Sequence, residues 1–108
     1  MPPFPVILRE QADRDVAAAI AYYGADAGRD VALAFIDALQ ATITVIGERP
    51  LTGSGRWGEL TNLPGLRSMR IAKYPWIIFY APLEREVEVW RVLHAKRDIP
   101  VSLGDYEA

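Results

Sequence analysis

One histidine and a group of cations between residues 67 and 97 are the side chains of this sequence that could do chemistry. His94 is the single histidine among 108 residues, and there is no cysteine. Cysteine nucleophiles, disulfides and zinc sites built from thiolates or several histidines are therefore excluded. His94 could act as a general base, but no obvious acid accompanies it. We expect no catalytic residue, no metal site and no cofactor.

The charges are segregated along the chain, although the net charge is only −2. Residues 1–66 carry a net charge of −3, residues 67–97 a net charge of +4, and residues 98–108 a net charge of −3. This pattern predicts a basic surface suited to an acidic protein segment or a phosphate backbone. Random variation in a handful of charges is the alternative. The chain as a whole is not basic enough to predict sequence-specific binding of nucleic acid.

Two long amphipathic segments follow a short apolar stretch near the N-terminus. Residues 4–9 are apolar and partly β-branched, which is typical of an edge strand. Apolar side chains then recur at helical spacing over residues 12–23 and again over residues 31–46. Gly24 and Gly28 mark a break between these segments. We expect two helices that pack as an antiparallel hairpin.

A glycine-rich loop over residues 51–65 precedes three strand-like runs, at residues 66–71, 76–80 and 86–93. The middle run is apolar on both faces, which predicts a central strand covered on both sides or in contact with a partner. Short turn segments separate the runs, so neighbouring strands should pair as antiparallel hairpins. The sequence therefore predicts a single α+β domain over residues 1–108. In it a strand and a helical hairpin precede a three-stranded antiparallel meander, and the helices pack on one sheet face.

The composition is that of an ordinary globular domain, with 51% apolar and 24% charged residues. No apolar run approaches the roughly 20 residues of a membrane span, and the N-terminus lacks the layout of a signal peptide. We expect a cytoplasmic protein that does not bind a membrane. The acidic tail at residues 100–108 could be ordered or loose.

Three sequence segments, in this order and spacing, resemble a known family. The motifs are Leu63-Pro64-Gly65-Leu66-Arg67, then Tyr74-Pro75-Trp76-Ile77-Ile78-Phe79-Tyr80, and finally Val92-Leu93-His94-Ala95-Lys96-Arg97-Asp98. Together with the order of elements, they make the chain similar to the RelE/ParE superfamily of bacterial toxins, and within it to the ParE branch. The resemblance covers nearly the whole chain.

The resemblance implies a growth-inhibiting toxin of a type II toxin–antitoxin system, neutralised by a ParD-like antitoxin. ParE-like toxins act on DNA gyrase, whereas RelE-like relatives cut messenger RNA on the ribosome with cations and a C-terminal tyrosine or histidine–tyrosine pair. Here Ala95 follows His94, and residues 50–66 contain no lysine. We therefore predict a toxin that binds gyrase and is not an enzyme. An RNA endonuclease of the RelE type and a non-toxic interaction module of the same fold remain alternatives.

The predicted target-binding residues are cations of the C-terminal half and the histidine beside them: Arg67, Arg91, His94, Lys96 and Arg97. Their expected role is electrostatic and hydrogen-bonding recognition, so alanine at Arg91 and Arg97 should spare folding. His94 has an alternative role in hydrogen bonding the turn that follows it. Arg67 either pairs with a carboxylate near the core edge, for which Glu59, Glu86 and Glu88 are the candidates, or marks a surface recess.

The predicted antitoxin-binding residues combine a helix face with the central strand. Ala18 and Tyr22 lie on the alanine-rich first helix, whose shallow surface could accept an apolar partner helix. Ile77 and Phe79 belong to the strand that is apolar on both faces, which would leave apolar surface for a partner to cover. Packing within the domain is the alternative role of these side chains.

Overall fold

The computed structural model describes residues 2–97 and 99–104 and contains a four-stranded sheet. Its strands are β1 (Val6–Leu8), β2 (Arg67–Arg70), β3 (Trp76–Pro82) and β4 (Val87–His94), in the spatial order β1-β4-β3-β2. β3 pairs antiparallel with both β2 and β4, whereas β1 pairs in parallel with β4. The predicted meander is confirmed, and the N-terminal strand extends it at the β4 edge.

Two helices form the predicted hairpin on one face of the sheet. They are α1 (Glu10–Ala27) and α2 (Arg29–Glu48), joined at Gly28, whose φ of 94° places it in a region that glycine adopts without strain. The helices bury their apolar stripes against β3 and β4, and Phe35 and Ile46 are fully buried in this core. Amphipathic spacing therefore accounts for both helices.

The opposite face of the sheet is covered by two short helices. They are α3 (Arg56–Thr61), which lies inside the predicted loop, and α4 (Ile99–Gly104) in the predicted tail. Leu103 of α4 is fully buried against this face. The remainder of the tail, residues 105–108, lies outside the described residues. The central strand is therefore covered on both sides by the domain itself.

Strand β4 pairs with β3 along one edge, but β1 occupies only part of its other edge. β1 pairs only with residues 87–89, so the later part of β4 has no strand on that side. The register with β3 also shifts there: Phe79 faces Arg91 and Tyr80 faces Val89, which makes Trp90 an extra residue in β4. Such a bulge re-aims the side chains around it. Helix α1 lies beside the unpaired part of β4.

Helix α2 is long and apolar enough to cross a membrane by length and composition alone. In the fold, however, the apolar stripe of this helix, which includes Phe35 and Leu39, is packed into the core. Core helices of globular domains pass the same test, and about 33% of the apolar window of α2 is buried within the domain.

Candidate functional site

Arg91 is buried in an ion pair that joins three elements of the fold. Its Nε donates to Asp15 Oδ2 at 2.7 Å and its Nη2 donates to Asp15 Oδ1 at 2.9 Å. A third nitrogen, Nη1, donates to the carbonyl oxygen of Ser102 in α4 at 3.3 Å. The backbone N–H of Val92, on the unpaired edge of β4, donates to Asp15 Oδ2 at 3.0 Å. We call these four residues the ion-pair core.

Burial of this pair corrects one expectation from the sequence. Arg91 is 4% exposed and Asp15 is 8% exposed, so neither side chain presents its charge to a partner. Removal of one member of a buried ion pair leaves an uncompensated charge and is strongly destabilising. This geometry argues against the expectation that alanine at Arg91 spares folding. Arg91 is assigned to the fold and is left out of the candidate contact surface.

Arg67 is also committed to the fold, through backbone partners. Its Nη1 donates to the carbonyl oxygens of Leu51 at 3.0 Å and Gly53 at 2.8 Å. The Tyr80 hydroxyl holds the same segment, since it donates to the Pro50 oxygen at 2.9 Å and accepts from the Gly53 N–H at 3.0 Å. Burial raises the pKa of Tyr80 above its usual value of 10.0. These bonds fasten the start of the glycine-rich segment to the sheet.

The carboxylate partner expected for Arg67 is not among its contacts. Glu88 pairs instead with Arg9, at 2.9 Å between Oε1 and Nη2. The expectation failed because a half-buried guanidinium can be satisfied by carbonyl oxygens as well as by a carboxylate. Sequence alone could not reveal which oxygens the loop would bring near.

His94 is fixed by the turn that follows β4. Its Nδ1 accepts a hydrogen bond from the Lys96 N–H at 3.1 Å, and its ring packs edge-to-face on Trp76 with a centroid distance of 5.2 Å. Trp76 is held in turn by the Tyr23 hydroxyl, which accepts from its Nε1 at 3.0 Å. The neutral imidazole therefore carries its proton on Nε2. The alternative role of His94, a hydrogen bond to the turn, is confirmed by these contacts.

Two turns meet at one end of the sheet and bring four exposed cations together. The β2–β3 hairpin supplies Arg70, the last residue of β2, and Lys73 in its turn, and the turn after β4 supplies Lys96 and Arg97. The Ala95 N–H donates to the Pro75 oxygen at 2.8 Å, which joins the two turns. We call this set of four cations the basic rim.

The charges of the basic rim are available to a partner. Arg70 Nε donates to the Tyr74 oxygen at 3.2 Å. Within residues 2–97 and 99–104, no carboxylate lies within ion-pair distance of any of the four side chains. Arg70 and Lys73 are absent from the residues predicted as target-binding. Antiparallel pairing places both turns at the same end of the sheet, and this reasoning would have identified Arg70 and Lys73 from the sequence.

The four residues predicted to bind an antitoxin lie on two different surfaces. Ala18 and Tyr22 are exposed one turn apart on α1, and Tyr22 is 58% exposed. Phe79 points to the opposite face of the sheet, where it is fully buried. Ile77 is half-buried against the same cluster. The expected apolar surface on the central strand is therefore largely covered by α3 and α4, and of the four residues the two on α1 are the exposed ones.

Apart from the basic rim, the described residues contain few groups of side chains that could bind a ligand or catalyse a reaction. A cleft of about 330 Å³ lies between α3 and the start of β2, lined by residues that include Glu59 and Arg67. His94 does not line it. Among the residues that the structure describes, no group of three acidic or histidine side chains could hold a metal ion. The geometry offers a charged contact surface at the basic rim.

Comparison with known proteins identifies a family and similar solved structures. The model of the ParE toxin of type II toxin–antitoxin systems, parDE, matches residues 6–99. A search of curated protein sequences gave no match. A solved structure titled as the chromosomal ParDE toxin–antitoxin system from P. aeruginosa is similar with a TM-score of 0.71 and 19% identity, covering 84% of this chain and 95% of that one. At this identity the likeness shows the fold, whereas the family model spans most of the sequence. The chain therefore belongs to the family of ParE toxins of type II toxin–antitoxin systems.

Proposed function

We propose that this protein inhibits growth by binding DNA gyrase in the cytoplasm and that a ParD-like antitoxin neutralises it. The family match over residues 6–99 carries the proposal, because ParE-like toxins are the branch that acts on gyrase. The toxin acts by binding, without a catalytic residue or a cofactor of its own. Its effect is to hold the target in an inactive state.

The target contact is assigned to the basic rim, where Lys96 and Arg97 are the residues retained from the sequence prediction. Both side chains are exposed and follow directly after β4. Exposed cations attract an acidic surface and set the association rate and orientation more than the affinity. His94 acts indirectly, because its bond to the Lys96 N–H holds the turn that presents these cations. Arg67 and Arg91 support the fold.

The antitoxin contact is assigned to the outer face of α1 at Ala18 and Tyr22. Small exposed residues continue this face, including Ala21 and Ala25, and leave room for the apolar side of a partner helix. Tyr22 offers a large amphipathic ring of the kind that often anchors interfaces. A partner that binds only the folded toxin also raises its apparent stability.

The target assignment is tested by expressing the toxin without its neighbour and comparing two variants. Lys96→Ala combined with Arg97→Ala should abolish growth inhibition, whereas Arg85→Ala, an exposed cation in the β3–β4 turn, should leave it intact. Wild-type expression should cause DNA damage and filamentation, and purified toxin should inhibit supercoiling by gyrase. Rapid translation arrest with cut transcripts would instead establish the RNA endonuclease alternative. Soluble, folded protein with no growth phenotype would establish the non-toxic module.

The antitoxin assignment is tested by co-expression with the adjacent gene product. Ala18→Glu places a charge on the proposed contact face and should prevent neutralisation while the toxin stays active. Ala34→Glu is the matched control, because Ala34 is also exposed but lies on α2, outside the proposed contact face. Equal neutralisation of both variants would remove this face of α1 from the interface.

A further inference from the structure

Lys73 occupies a backbone conformation that its residue type rarely adopts. Among the described residues, four have a positive φ in the left-handed region: Gly28, Asn62, Gly65 and Lys73. Glycine adopts this region without steric cost, and asparagine tolerates it far better than other side chains. Lys73, at a φ of 70°, is the exception.

The turn itself does not require a lysine. The Tyr74 N–H donates to the Ile71 oxygen at 3.1 Å, which makes Lys73 the third residue of a tight turn, a position where glycine or asparagine is usual when φ is positive. The Lys73 side chain is exposed and makes no hydrogen bond or ion pair with the described residues. Among the described residues, no contact of the Lys73 side chain offsets the cost of this conformation. Strained residues cluster at functional sites, which motivates a functional hypothesis for Lys73.

The surroundings of Lys73 indicate what it contacts. Arg70 lies on the same hairpin, and the bond from Ala95 to Pro75 places Lys96 and Arg97 beside it. The adjacent helical hairpin, residues 10–48, has the opposite surface charge, with six exposed acidic residues and two exposed basic ones. Tyr23 of that hairpin packs on Tyr74 at a centroid distance of 5.7 Å, so this acidic surface borders the basic rim. A long phosphate backbone would be repelled by this acidic surface, whereas a short acidic protein segment fits within the basic rim alone.

We propose that Lys73 contacts an acidic segment of the protein target and that the strained turn is retained to present its ammonium group. The inference deepens the proposed function and rests on it, since it makes one member of the basic rim a specificity-determining residue and names the chemistry of the segment that it contacts. Lys73 places that contact at the β2–β3 turn, beside the turn after β4. The rim thereby spans the ends of three neighbouring strands.

Lys73→Asn separates the effect of the strained turn on stability from the effect of the charge on growth inhibition, because asparagine suits the turn but lacks the charge. We expect a melting temperature that is unchanged or up to about 4 °C higher than that of the wild type. The amount of toxin needed for half-maximal growth inhibition should rise about fivefold, the upper range for one exposed charge pair. Arg85→Asn is the matched control. It removes an exposed cation from the hairpin turn at the other end of β3 and should leave growth inhibition unchanged.

Each alternative explanation of Lys73 predicts a different experimental result. Full growth inhibition by Lys73→Asn, or a clear fall in its melting temperature, would overturn the inference. Binding of purified wild-type toxin to a 30-base-pair DNA duplex, lost in Lys73→Asn, would overturn the protein-target version in favour of a phosphate contact. If Lys73→Asn weakens growth inhibition but wild-type toxin leaves gyrase supercoiling intact, the contact stands and gyrase is the wrong target.

Discussion

Arg91 and Arg97 lie six residues apart at the end of the last strand, yet their surroundings are opposite. Arg91 is 4% exposed and bound by both oxygens of Asp15, whereas Arg97 is exposed on the basic rim. The ion-pair core fixes α1, β4 and α4 to one another. The basic rim contributes little to that fixation and presents its charge outwards.

The difference shows how burial divides the roles of identical side chains. A guanidinium taken out of water must be paired and hydrogen bonded, and the pair then becomes costly to break. An exposed guanidinium is screened by water and salt, so it contributes little to stability but can still attract a partner. Variants of the two regions should therefore separate loss of stability from loss of function.

Breaking the ion-pair core should have the largest effect on stability. Arg91→Ala leaves the Asp15 carboxylate buried without its counter-ion, and we expect the free energy of unfolding to fall by about 3–5 kcal/mol. Urea denaturation followed by circular dichroism measures this loss. A small domain has about 5–15 kcal/mol in total, so this loss is a large fraction of its stability. A loss below about 1 kcal/mol would show that Arg91 is not a structural residue.

Removing both charges should recover part of that loss. In the background of Arg91→Met, Asp15→Asn keeps an oxygen for the Val92 N–H but no longer buries an unpaired charge. We expect the double variant to be more stable than Arg91→Met alone by about 1–3 kcal/mol, a coupling that a double-mutant cycle measures. Asp13→Asn in the same background is the control, because Asp13 is exposed on α1 and should give no recovery.

The comparison extends to Tyr80, a buried neutral side chain whose contribution to stability depends on pH. Tyr80→Phe leaves the Gly53 N–H and the Pro50 oxygen without their partner, which should cost about 1–2 kcal/mol near neutral pH. Because burial raises the pKa of Tyr80, the folded state keeps the hydroxyl proton when the unfolded chain has lost it. The stabilisation is therefore complete below pH 10 and falls as the pH rises above it. The difference between wild type and variant should narrow above pH 10, and a constant difference would contradict this account.

The basic rim should give the smallest effect on stability. Lys96→Ala and Arg97→Ala each remove an exposed side chain, and we expect the free energy of unfolding to change by less than about 0.5 kcal/mol. Thermal unfolding of the purified variants checks this value. A large loss of stability in either variant would place these residues in the fold and would explain a loss of growth inhibition without any target contact.

Much of the fold follows from the periodicity of the sequence. The helical spacing of apolar residues predicted α1 and α2, and the short turns between apolar runs predicted the antiparallel pairing of β2, β3 and β4. The covered central strand was also foreseen as one of two alternatives. The two helices that cover the opposite face of the sheet, α3 and α4, were missed. They have six residues each and are too short to show a helical period.

The candidate site was predicted only in part, since exposure is a property of the folded chain. The sequence grouped Arg91 with Lys96 and Arg97 because their residue types and positions are alike. It omitted Lys73, whose significance depends on a backbone angle and on the turn that lies beside it.

The sequence by itself determined the α+β class, the family motifs and the absence of cysteine chemistry, because these depend on local spacing and residue type. Only the tertiary structure decided which cations face solvent. Strand β1 ends early, the bulge at Trp90 re-aims Arg91, and Asp15 fills the unpaired edge from a position 76 residues away in the chain. No local pattern encodes that encounter, since it arises only when the helix packs against the sheet.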